Sequence, residues 1–204
     1  MITKKVMLFL ILLLFLTSCN ISKDKEYYSK FKNPDLNYTW EFNKSLIEMS
    51  GKTVNSTYFE LKKYALFQEI FQLKVPYEIT YKHEEGHIYI NQLLNIEDFD
   101  EFIENKFESS NTTNHASFRQ YMISVSEGIA DYYAINHFNN SRSKNYYEFI
   151  KKNRKDNIKG YKQHYQGLEY INASLKTKFY SNFTELILDL GSEKQYHNYL
   201  NIVT

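Results

Sequence analysis

From Asn33 onward, apolar residues recur mostly at intervals of three and four, the spacing of one helix face. No stretch alternates convincingly from one residue to the next. The pattern predicts a helix over 40–49 that stops at Ser50-Gly51. A second is opened by Ser56 or Thr57 and runs to about residue 73, with Leu61, Tyr64, Ala65, Phe67 and Phe71 on or near one face. Pro76 suits the first turn of a third helix that reaches about residue 94. A short acidic helix over 96–107 and a polar loop, ESSNTTN, lead into a long helix over His115–Phe138. NNSRSKN is the next break, before a short helix at 146–152. After a loop at 156–160, helical patterns return over 161–175, 183–190 and 193–202. Residues 38–42 and 79–81 are equally compatible with extended chain, and there is no internal repeat. The expected fold is a mainly α, single domain.

The first residues have a different character. Lys4 and Lys5 precede an apolar run over 6–16, too short and too early for a good membrane-spanning helix. The run ends in Leu16-Thr17-Ser18-Cys19, which resembles the bacterial lipobox. That resemblance implies cleavage before Cys19 and lipidation of its sulfur and amino group. The plainer reading is a secretory signal that happens to contain a cysteine. The expected organisation is a signal peptide over 1–18, a lipidated Cys19 with a polar tether through residue 32, and one domain over 33–204. Two or more acyl chains would anchor the exported protein stably on the extracytoplasmic face of a membrane.

Composition narrows the chemistry. Cys19 is the single cysteine of the 204 residues, so a metal would have to be held by His, Asp or Glu. A formal net charge of +1 gives no electrostatic footprint for nucleic acid. Only 2 prolines leave room for long unbroken helices.

Within that frame the stretch YKHEEGHIYI stands out. His83 and His87 are four apart and share one helix face, so both can present a ring nitrogen to one ion. Glu84 is turned partly round from them, poorly placed to ligate but able to reach a water on the metal. A catalytic zinc needs a third protein ligand. No third histidine follows at the common spacing, and the candidate is Glu127, on a separate predicted helix. Asp131 comes four residues later on the same face, placed to accept the second ring N–H of His83 or His87.

His-Glu-x-x-His followed on a later helix by Glu127-Gly128-Ile129-Ala130-Asp131-Tyr132 resembles the gluzincin metallopeptidases, the thermolysin-like and collagenase-like zincins. The resemblance spans two short segments. It implies Zn2+ held by His83, His87 and Glu127, Glu84 as general base, Asp131 as the partner of a ligating imidazole, and a peptide or protein substrate. Two departures stand beside it. Glu85 occupies a position that zinc peptidases usually leave uncharged, and the substrate-aligning sheet of that family is not legible before residue 76. The expectation is a reduced, helical zincin-like core with the zinc site between two helices. Tyr165 is the first candidate for stabilising an oxyanion, with His164 and His115 as substitutes and simple packing as its other reading. Glu84-Glu85 is a poor pair for glycoside hydrolysis, because adjacent helix residues point apart. The alternative function is a catalytically inactive zinc-binding or interaction lipoprotein.

Overall fold

Tyr38, Trp40 and Phe42 are buried, whereas Glu41 and Asn43 between and after them are exposed. Period two is strand geometry. The computed structural model describes residues 23–45, 50–64, 77–99, 101–102, 105, 115–138, 141–153, 161–177, 185–186 and 189. Its first regular layer is a sheet of β1 (Thr39–Ser45), β2 (Ser50–Asn55) and β3 (Tyr58–Tyr64). The strand order is β1-β3-β2, with β1 parallel and β2 antiparallel to β3. This corrects the helices expected over 40–49 and from Ser56 onward. Ser56-Thr57 is the two-residue turn of the β2–β3 hairpin, and the Thr57 N–H donates to the Asn55 side chain at 2.9 Å instead of opening a helix. Residues 65–76 lie outside the described residues, as do the signal segment with Cys19 and the helix expected at 193–202.

The stretch expected as a polar tether is folded from residue 23. It forms helix α1 (23–29), and the Tyr28 ring stacks on Phe42 and Tyr81 at centroid distances of 5.8 and 6.4 Å. Tyr28 thereby joins Trp40, Phe42, Phe59 and Leu61 in the core beneath the sheet.

Four longer helices make the chain mainly α-helical and one domain. They are α2 (Tyr77–Leu94), α3 (His115–Phe138), α4 (Ser141–Asn153) and α5 (Tyr161–Thr177). The expected boundaries of α3 agree with those observed, and α5 begins where expected. Helix α4 begins earlier, inside the stretch read as a break. Helix α2 is the hub. Tyr81 and Ile88 face the sheet core, Ile90 joins α3 and α5 around Val125, Ile129 and Ile171, and Ile79 meets Ala134, Tyr146 and Ile150. It ends in a left-handed cap. Asn95 has φ 54°, its N–H donates to Gln92 O, and the Ile96 N–H donates to Asn91 O at 2.9 Å. Gln92 clips the hairpin to this end of α2 by donating to the carbonyls of Asn37 and Ser56, both at 2.8 Å.

Candidate metal centre

Two close helix crossings build the centre. At the first, Gly86 of α2 faces Ala130 of α3, where a Cβ on Gly86 would lie 2.8 Å from Ala130 Cα. At the second, Gly128 of α3 faces Gly167 of α5, where a Cβ on Gly167 would lie 1.9 Å from Ser124 O. Backbones this close bring even short side chains from three helices into one space.

Into that space project the residues singled out from sequence. His83 Nε2 and His87 Nε2 lie 3.1 Å apart. Glu127 Oε2 lies 3.1 Å from the first and 3.6 Å from the second. The three predicted ligands therefore converge, and their side chains are 9%, 15% and 26% exposed, so the cluster opens toward solvent on the Glu127 side. Behind it, Asp131 is fully buried. Its Oδ1 accepts from His83 Nδ1 at 2.7 Å, as expected, and also from the Tyr146 hydroxyl at 2.6 Å. His87 Nδ1 meets Ser126 Oγ at 3.1 Å.

One residue that sequence reasoning ranked second belongs here. His164 of α5 places Nδ1 2.9 Å from Asp131 Oδ2 and Nε2 3.4 Å from Glu127 Oε2. Its neighbour Tyr165, ranked first, packs instead at the edge of the Tyr146–Ile150–Leu168 cluster. Helix phase is the reason. His164 is three residues before Gly167 and shares its face toward α3, whereas Tyr165 is turned about 100° away. Tyr146 and Ser126 were not read from sequence, since nothing local marks a tyrosine or serine as the partner of a distant carboxylate or imidazole.

The electrostatics favour positive charge at the centre. Burial works against ionising Asp131, but the imidazoles of His164 and His83 outweigh it and hold its carboxyl below the usual range. Burial likewise opposes the charge of Glu127, and His164, His87 and His83 hold its carboxyl well below the usual range. Burial alone would depress His83; Asp131 and Glu127 reverse that and raise it well above an ordinary histidine. An ionised Asp131 can only accept, so the proton of a neutral His83 sits on Nδ1 and its Nε2 carries a lone pair. Without a metal, the raised His83 keeps a second proton on Nε2, toward Glu127 Oε2 at 3.1 Å; a metal ion bound there takes the place of that proton. Zinc-like bonds of 2.0–2.1 Å at tetrahedral angles would separate the donors by about 3.4 Å, close to the spacings seen. These buried groups can hold a metal ion.

Glu84 is one residue past His83, turned toward the sheet. Thr53 of β2 donates to Glu84 Oε2 at 2.8 Å and to Glu84 O at 3.2 Å. Gly51 lies directly over the carboxylate, where a Cβ would come within 2.3 Å of Oε1. The edge strand β2 thus holds Glu84 in place. Glu85, the departure noted from sequence, points elsewhere. Fully buried, it pairs with the equally buried Lys82 and accepts from the Asn33 N–H at 2.6 Å, the Tyr38 hydroxyl at 2.5 Å and the Tyr133 hydroxyl at 3.2 Å. Its charge fastens residues 33–38 to α2 and α3. Among the remaining histidines, His137 lies exposed in the last turn of α3.

No protein-family profile, curated protein or solved structure matches the chain.

Proposed function

We propose that the protein is a zinc-dependent peptidase held at a membrane surface by a lipid on Cys19. The observation that carries this reading is the convergence of His83 Nε2, His87 Nε2 and Glu127 Oε2, with the Asp131 carboxylate behind His83. Two imidazoles and a carboxylate form a donor set typical of hydrolytic zinc. Zinc, when bound, supplies Lewis acidity toward water and toward a peptide carbonyl.

The chain's own groups do the rest. Asp131 and Ser126 hold the rings of His83 and His87 so that their Nε2 atoms face inward. Glu84 takes the proton of the attacking water and returns it to the departing amine. Thr53 and Gly51 set the direction of its carboxylate. Among the described residues β2 pairs only with β3, and an extended peptide can align along its other edge. That strand restores the substrate-aligning element that was not legible before residue 76.

Glu84→Gln tests the chemistry. The variant keeps its zinc and loses about 100-fold or more of any peptide cleavage. Cleavage that survives the substitution refutes this role. The anchor is tested by labelling cells with a fatty acid, where the protein takes up label and Cys19→Ala does not; label in the variant would refute the anchor. Among the described residues no helix is long and apolar enough to cross a membrane. A second reading, a lipoprotein that holds zinc without turnover, is favoured by the closeness of His164 to the same Glu127 oxygen.

A further inference from the structure

We propose that the exposed side of α1 is the face on which the folded domain lies against a membrane, with anionic lipid headgroups as its partner. The inference rests on the Cys19 anchor proposed above and goes beyond it. A lipid by itself fixes neither how far the domain stands from the bilayer nor which side meets it.

Distance is the first support. Residues 20–22 alone separate Cys19 from Lys23, where α1 begins, so even a fully extended chain keeps the two within about 14 Å. Helix α1 is in turn packed into the domain. Tyr28 is 5% exposed, with its ring stacked on Phe42 of β1 and Tyr81 of α2. Tyr27 donates to Glu78 of α2 at 3.1 Å, and the Phe31 ring meets Phe138 of α3 at 5.7 Å. Just beyond, the Asn33 N–H donates to buried Glu85 at 2.6 Å. Lifting α1 away would expose those rings and strip a buried carboxylate of a donor. The acyl chains therefore hold the domain itself at the surface, by its α1 side.

The chemistry of that side is the second support. Lys23, Lys25, Lys30 and Lys32 are exposed, and the acids among them are exposed Glu26 and half-buried Asp24. Lysines beside an anionic surface are drawn to it. Tyr27, 42% exposed, is the most exposed large hydrophobic side chain among the described residues. Its ring has the amphipathic character that suits the boundary between water and acyl chains, and Lys30 Nζ lies 5.8 Å from its centroid. The other exposed strand surface, β2 with Lys52 and Val54, is separated from β1 by β3, about 10 Å across the sheet. With α1 against the headgroups, β2 stays on the far side of the sheet and clear of the bilayer. His83 follows Glu78 by about 8 Å along α2, so the metal centre stands close above the same surface.

Lysine acylation read by mass spectrometry tests the orientation. The full chain, purified with its lipid, is placed on vesicles of phosphatidylcholine alone and on vesicles that also contain phosphatidylglycerol, and treated with an uncharged acylating reagent. Lys52 of β2 and Lys162 of α5, both exposed, serve as internal references. Relative to them, Lys23, Lys25 and Lys30 should react several-fold more slowly on the anionic vesicles than on the neutral ones, and added salt should restore their reactivity. Equal ratios on the two kinds of vesicle, or protection that falls on Lys52 or Lys162 instead, overturn the proposal and leave the anchor standing. A chain that floats with neither vesicle carries no lipid on Cys19, and both readings fall. None of these outcomes depends on zinc or on turnover.

Discussion

Helix α2 buries ionisable groups on two sides, and the two sides are finished differently. Toward residues 33–38, Lys82 and Glu85 neutralise each other, and every remaining approach to the Glu85 carboxylate is taken by an N–H or hydroxyl donor. Burial and Glu85 together keep the Tyr38 hydroxyl protonated, so it serves as a permanent donor. Toward α3 the polar groups are less completely buried; the Nδ1 atoms of His83 and His87 meet Asp131 and Ser126, and their Nε2 atoms converge with Glu127 Oε2. A satisfied network on one side fastens chain segments. Nitrogens and a carboxylate oxygen gathered around one point, where a metal ion can replace a proton, are a place for a ligand. Both sides derive from the same ten residues, and only their partners separate structure from chemistry.

The sharpest way to break this contrast is to remove a donor. His83→Ala or Glu127→Ala should lose stoichiometric zinc, and with it any zinc-dependent rise in Tm, while the metal-free chain still folds; elemental analysis and thermal melts check both. On the other side, Glu85→Ala leaves Lys82 buried without its partner. It should lower stability by about 3–5 kcal/mol in denaturant melts, with zinc still bound by the folded fraction. If that variant instead lost zinc and kept its stability, the two sides would have been assigned the wrong way round. A smaller effect is expected at Asp131→Asn, since one amide cannot accept from both His83 and His164. Zinc affinity should fall about 100-fold by competition titration. Ser126→Ala should cost about tenfold or less, because it touches a single ring. An Asp131 variant no weaker than the Ser126 variant would contradict the shared grip on two imidazoles.

The residues that could hold a metal were legible early because their signals are local. Two histidines four apart on a helix share a face in any fold, and so do Glu127 and Asp131. Glu85 could be noted only as a departure, for the converse reason. Its meaning lies in Asn33, Tyr38 and Tyr133, roughly 50 residues away on either side, and no local pattern announces them. The sheet was missed because its alternating runs are only two or three residues long, Tyr38-x-Trp40-x-Phe42 and Phe59-x-Leu61, within reach of a helical reading too. The parallel pairing of β1 with β3 and the burial against Tyr81 of α2 chose the strand, and both are long-range.

The amino-acid order by itself determined the helices that carry the cluster and the pairs His83/His87 and Glu127/Asp131 that each share one face, because helix periodicity depends only on neighbours within one or two turns. Tertiary structure alone decided that β2 would lie over Glu84, that Glu85 would bind the amino-terminal segment, and that His164 rather than Tyr165 would reach the centre. Each of these depends on how closely two elements approach, and that distance is set by a glycine meeting a glycine or a strand meeting a helix across the fold.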